Sequence, residues 1–107
     1  MKMIQAVVRP EKVNQVLIDM KDVGFIPATR MGVRGRGRQR GLKSREVYYD
    51  GLPKENLYTV VSDEDVEQVI RIICKAAQVN HGSAGDGKIF VYPVEKVITI
   101  SNGMVEE

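Results

Sequence analysis

Tryptophan is absent from this chain, and cysteine and histidine occur once each, as Cys74 and His81, among 107 residues. A lone thiol cannot close an internal disulfide, which excludes a cross-linked secreted scaffold. One Cys and one His cannot supply the three or four soft ligands of a structural zinc or an iron–sulfur centre. A Cys-His nucleophile is equally poorly supported, since Cys74 lies in an amphipathic run beside core positions and His81 in a polar loop. Aromatic residues are few. The two Phe and four Tyr do not cluster at matching strand positions, so the base-stacking platform of a ferredoxin-like RNA-binding module is missing, and no nucleic-acid partner is expected. Apolar runs fall far short of the roughly 20 residues that cross a bilayer, and the start Met1-Lys2-Met3-Ile4 lacks the apolar segment of a secretory signal. These absences predict a cytoplasmic protein without direct membrane insertion.

Acidic residues are missing from one stretch. Arg30, Arg34, Arg36, Arg38, Arg40, Lys43 and Arg45 place seven of the sixteen basic residues where no Asp or Glu intervenes, leaving nine basic against fourteen acidic residues elsewhere. The formal charge of +2 therefore conceals a basic segment in an otherwise acidic molecule.

Apolar periodicity supplies the architecture. Met3 to Val8 reads as a short strand; Val13, Val16, Leu17 and Met20 then recur on one helix face, with Pro10 suited to the first turn and Gly24 to the stop. A second strand is expected from about Phe25 to Val33. The pattern restarts at Leu57 to Val61, followed by Ser62-Asp63-Glu64-Asp65 as a cap carrying dipole-favoured acids and by Val66, Val69, Ile70 and Ile73 on a helix face. The two copies align at a single offset of 53 residues: Val7 and Val8 on Val60 and Val61, and the four helix positions on their counterparts. Lys88 to Tyr92 closes the sheet, and Val94 to Ile100 contains a further short strand. The prediction is an α+β, ferredoxin-like βαββαβ fold, residues 1–107 forming one domain with four antiparallel strands and both helices on one face. The other face of such a sheet would be bare, and oligomerisation is its natural cover. Residues 35–53 have neither period and read as a long loop between the halves.

Two glycine clusters could carry chemistry. Gly35-Arg36-Gly37-Arg38-Gln39-Arg40-Gly41 joins backbone freedom to guanidinium forks; by itself it reads as well as a solvated basic loop or an RNA-backbone clamp as it does as a phosphate grip. Gly82-Ser83-Ala84-Gly85-Asp86-Gly87-Lys88 satisfies G-x-x-x-x-G-K. It is not a P-loop, because Ile89 replaces the magnesium-holding hydroxyl and the segment runs from helix to strand. It can be a phosphate site or a tight turn. Asp63, Glu64, Asp65 and Glu67 belong to a helix start, and no nucleophile, base and orienting group can be assembled, so no enzyme is expected.

Taken together, Met3 to Val8 with Arg9-Pro10, the Gly35 to Gly41 string, Leu52-Pro53-Lys54 and Gly85-Asp86-Gly87-Lys88-Ile89-Phe90-Val91 resemble the PII nitrogen-regulatory family over nearly the whole chain. The resemblance implies a trimer packed through its sheets, with ATP or ADP bound between subunits by Thr29, Gly37, Arg38, Val60, Gly85, Asp86, Gly87 and Lys88. It implies a 2-oxoglutarate site at Gln39, Arg40, Gly41 and Lys54, with Gln39 also a ligand of Mg2+ shared with the ATP phosphates. Residues 35–53 would protrude towards a target protein through Arg45, Tyr48 and Tyr49. The chain departs from common members in its shorter loop, the lack of a secure counterpart to the modified tyrosine, an apparent insertion at Asn80 to Ala84, and Thr99 and Ser101 where two phosphate-facing arginines usually stand. With the Glu-Lys-Val start after Pro10, these features look most like the branch associated with nitrogenase in methanogenic archaea and some anaerobic bacteria. That branch implies the dinitrogenase component as target and a homotrimer or a hetero-oligomer with a paralogue; a general PII regulator of an ammonium transporter or assimilating enzyme is the alternative.

Overall fold

The computed structural model describes residues 1–25, 29–34 and 53–106. Strand β1 (Lys2–Val8) sits inside a four-stranded antiparallel sheet with β2 (Thr29–Arg34), β3 (Pro53–Val61) and β4 (Gly87–Pro93), in the order β2-β3-β1-β4. Helices α1 (Val13–Asp22) and α2 (Val66–Ala77) cover one face. A short hairpin of β5 (Ile98–Thr99) and β6 (Met104–Val105) follows.

Alternation along the strands builds the core. Ile4, Ala6 and Val8 of β1 lie beside Thr59 and Leu57 of β3, and all are buried with Val13, Val16 and Met20 of α1 and Val69, Ile73, Ala76 and Ala77 of α2. The internal duplication extends to detail: the 3-10 turn Pro10–Lys12 before α1 has its counterpart in Asp63–Asp65 before α2, again 53 residues on. Ser62 stands at the cap position there but makes no side-chain capping bond; the acids alone complement the helix start.

Two expected boundaries shift for local reasons. Phe25 is not in a strand, because it closes a Schellman turn: its N–H donates to Met20 O at 2.9 Å and that of Gly24 to Lys21 O at 2.9 Å. Gly24, at φ 95°, supplies the left-handed residue, and Phe25 packs on the core as the turn's hydrophobic partner. Strand β2 is described from Thr29, residues 26–28 lying outside the described residues. Strand β3 starts at Pro53, four residues before its apolar run, since a first strand residue need not donate an N–H. Arg34 pairs with Pro53, so the segment joining β2 to β3 leaves and re-enters at one point of the sheet. The rest of the expected 35–53 loop, with Gly37, Arg38, Gln39, Arg40, Gly41, Arg45, Tyr48 and Tyr49, lies outside the described residues.

The sheet face turned away from the helices carries Met3, Gln5 and Val7, then Lys54, Asn56, Tyr58 and Val60, then Lys88, Phe90 and Tyr92. Tyr92 Oη donates to Gln5 Oε1 and Gln5 Nε2 to Asn56 Oδ1 at 3.3 Å, a polar string across three strands. Around it stand exposed apolar groups, with Phe90 at 45% and Tyr92 at 44% of full exposure. Among the described residues no helix is long and apolar enough to cross a membrane.

Candidate functional site

One end of the sheet collects the chemistry. Here β1 finishes at Val8, whose partners are Glu55 near the start of β3 and Gly87 at the start of β4. Arg9 and Lys54 therefore emerge beside the 78–87 connection that brings the chain from α2 into β4.

That connection is tightly wound. Asn80 and His81 both take positive φ, 49° and 64°, followed by Gly82 at 122°, which turns the chain sharply after α2. Gly82 N–H donates to Val79 O at 2.9 Å and Ser83 Oγ to the same carbonyl at 3.0 Å. The organising group is the carboxylate of Asp86. Its Oδ2 accepts from Ser83 N–H at 2.8 Å and Val79 N–H at 3.3 Å, and its Oδ1 from Arg9 Nε at 3.2 Å. Asp86 thus closes the loop on itself through Oδ2 and ties it to Arg9 through Oδ1.

Two cations grip the loop from the strand ends. Arg9 Nη2 donates to Ala84 O at 3.1 Å, and Lys54 Nζ to Gly85 O at 2.6 Å. Burial, then the neighbouring Arg9 charge, push the Lys54 ammonium below its ordinary pKa, against the pull of Glu11 and Asp86. Gly87 has no room for a side chain: a Cβ there would lie 1.8 Å from Val7 O.

Of the nucleotide residues expected from sequence, Gly85, Asp86, Gly87 and Lys88 come together here with Lys54. Val60 does not. It lies six residues along β3 from Lys54, about 20 Å away, beside Met3, while Thr29 is paired with Tyr58. Lys54, Val60 and Lys88 nonetheless share the uncovered face. Thr99 Oγ1 donates to the Glu106 carboxylate at 2.8 Å, and Ser101 is exposed in the β5–β6 turn. Arg9 was missed as a site residue because its partner Asp86 is 77 positions away, beyond any local spacing; an arginine directly after an apolar strand and before Pro10 was the one available signal.

A cleft of about 410 Å³ opens beside this loop between α2 and β4, lined by apolar groups including Ile70, Cys74, Ala77 and Val91 together with Ser83, Asp86 and Lys88. No group of three or more His, Cys, Asp or Glu among the described residues is placed to hold a metal ion.

A family model matches nearly the whole chain that builds this duplicated β-α-β sheet and its loop. The model for "Nitrogen regulatory protein P-II" fits residues 1–104. The chain belongs to the P-II family. It is 49% identical over 100 residues to "Nitrogen fixation nifHD region glnB-like protein 1" of Methanococcus maripaludis, covering 94% of this chain and 93% of that one. The protein named "Nitrogen fixation nifHD region GlnB-like protein 1" from Methanothermococcus thermolithotrophicus is 42% identical over 103 residues, 96% of each chain. A bacterial relative, "Nitrogen regulatory protein P-II" of Pasteurella multocida, is 44% identical over 111 residues, covering all of this P-II chain and 97% of its own.

The Asp86 network makes a pH prediction. Hydrogen bonding from the Ser83 amide first, then Val79 and Arg9, holds its carboxyl below the usual range despite partial burial. A folded-state pKa lowered in this way contributes stability above the unfolded value, about 3.9, and that contribution is lost as pH falls through the folded value. Asp86→Asn is expected to lower the urea midpoint at pH 7, with the gap to the parent protein closing below about pH 4.

Proposed function

We propose that this chain is a nitrogen-status sensor that binds ATP or ADP and, with Mg-ATP, 2-oxoglutarate, and that it acts by binding another protein rather than by catalysis. The observation that carries the reading is the Lys54–Gly85 contact of 2.6 Å, which joins the expected metabolite lysine to the expected nucleotide loop in one site. Gly85, Asp86, Gly87 and Lys88, with Arg38, Gly37, Thr29 and Val60, hold the nucleotide. Lys54 pairs with one carboxylate of 2-oxoglutarate, and Gln39, Arg40 and Gly41 surround the rest. Gln39 completes a magnesium shell otherwise made of phosphate and metabolite oxygens, which suits a hard cation. The sequence neighbourhood of Thr99 and Ser101, now with Glu106 beside Thr99, favours weaker phosphate binding from an adjoining subunit.

Three copies packed through the uncovered sheet face would bury Phe90, Tyr92 and Val60, either as a homotrimer or with a paralogue. Residues 35–53, with Arg45, Tyr48 and Tyr49, are the target-binding loop of this cytoplasmic protein. The names of the methanogen relatives favour the dinitrogenase component as target. The Pasteurella relative keeps a general regulator of ammonium uptake or assimilation in view. A pull-down from nitrogen-fixing cells after an ammonium shift separates them: dinitrogenase recovered supports the first, and a transporter without dinitrogenase supports the second.

Calorimetric titration of 2-oxoglutarate tests the sensor itself. Heat is expected only in the presence of Mg-ATP, and it should vanish in Gln39→Ala. Binding that needs no nucleotide, or that survives in Gln39→Ala, would sink the metal-bridged site.

A further inference from the structure

Arg9 stands where every element of the site meets. It follows β1, its Nη2 holds Ala84 O, and its Nε holds Asp86 Oδ1. Between these anchors the carbonyl of Gly85 is turned to Lys54. Three consecutive residues of the loop are therefore held by two cations from two strands. The guanidinium also packs on the bare Cα of Gly85, where an added Cβ would come within 3.1 Å of Nη2.

The lysine has a conflict built into it. Its bond to Gly85 is to a neutral carbonyl, and its ammonium is partly desolvated beside a second positive charge, with Glu11 and Asp86 as the opposing acids. A carboxylate arriving at Lys54 offers a stronger, charge-assisted bond. When Lys54 turns to it, Gly85 O loses its partner, and only Arg9 still ties the 84–86 run to the sheet.

We propose that Arg9 is the positioning residue that couples the two ligands of this site: it keeps the loop in its nucleotide-holding shape while Lys54 exchanges the Gly85 carbonyl for a carboxylate of the metabolite. The proposal rests on the sensor reading above. Its physical content is a coupling free energy. With Arg9 in place each ligand finds the other's half of the site formed; without it, metabolite binding loosens the loop that the nucleotide needs. The fork is essential, because one ammonium in place of the guanidinium cannot serve a carbonyl and a carboxylate in fixed, separate directions.

The test compares the parent protein with Arg9→Gln and Arg9→Lys, measuring Mg-ATP affinity with and without 2-oxoglutarate. In the parent each ligand should tighten the other. In both variants that mutual tightening should fall by roughly fivefold or more. A second readout follows the Lys54 side-chain resonance by NMR through its titration: in Arg9→Gln its midpoint should move up, because a like charge has gone, which checks that the two cations face each other; loss of coupling with single-ligand affinities retained is what a purely structural role for Arg9 would not give. Unchanged coupling in Arg9→Gln, or full coupling in Arg9→Lys, overturns the proposal and leaves the sensor reading standing. A parent protein that binds neither ligand overturns the sensor reading, and this proposal with it.

Discussion

Gly87→Ala is expected to destabilise the protein by about 3 kcal/mol or more, a large effect for the addition of one methyl group. The added Cβ would sit 1.8 Å from Val7 O, 2.9 Å from Val7 C and 3.3 Å from Val8 Cα. These are backbone atoms of the strand that pairs with both β3 and β4, so no side chain can swing aside. Relief requires β4 to lift from β1, which breaks the ladder at Val8–Gly87 and disturbs the placement of Lys88 next to it. The residue also sits at φ 125°, which an L side chain resists. Gly82→Ala is the control. Gly82 has a similar φ of 122° but open space where the methyl would go, so only the backbone strain applies, about 1 to 2 kcal/mol. Urea unfolding should place the midpoints in the order parent, Gly82→Ala, Gly87→Ala. A Gly87→Ala protein as stable as Gly82→Ala would mean that β4 can shift at little cost, and that its glycine is not fixed by the close approach to β1.

The duplicated core was legible because burial imposes its own period. Val13, Val16 and Met20 and their equivalents Val66, Val69 and Ile73 recur at helix spacing, and the strands before them alternate, so the 53-residue repeat survives unrelated polar residues between. Boundaries were less legible where an apolar residue does something other than pair in the sheet. Phe25 looks like the first residue of a strand, yet the glycine before it makes it the last residue of a helix motif. Lys54, Glu55 and Asn56 hide the start of β3 because polar residues at the end of a strand break the apolar signal without breaking the ladder.

The glycines and Lys88 of the site could be found as a motif, since they lie in one run, Gly85-Asp86-Gly87-Lys88. Two links could not. The Arg9–Asp86 pair spans 77 positions and the Lys54–Gly85 bond spans 31; both arise because β1, β3 and β4 bring their ends to the same edge of the sheet. Asp86 illustrates the difference in kind. Its position in Gly85-Asp86-Gly87-Lys88 suggests a group that lines a ligand cleft, whereas its carboxylate is taken up by Ser83, Val79 and Arg9. Motif reading locates such a residue without telling whether it touches the ligand or builds the surface that does.

Lys54→Met is expected to weaken 2-oxoglutarate binding by at least about 100-fold while Mg-ATP alone loses less than about tenfold. The first figure follows from leaving one carboxylate of a dianion without its charged partner in a partly desolvated site, a loss of about 3 kcal/mol or more. Methionine keeps much of the length and the apolar stem of the side chain, so the steric change within β3 is small. The second figure follows from the loop's other supports. Losing the bond to Gly85 O removes one tether, but Ala84 and Asp86 remain held by Arg9, and Asp86 still accepts from Ser83 and Val79. Calorimetry with each ligand alone and in combination gives both numbers. Equal losses for the two ligands would mean that Lys54 supports the loop as a whole, with no separate metabolite subsite. Retention of 2-oxoglutarate binding would move the carboxylate to other cations, of which the basic segment from Arg30 to Arg45 offers seven.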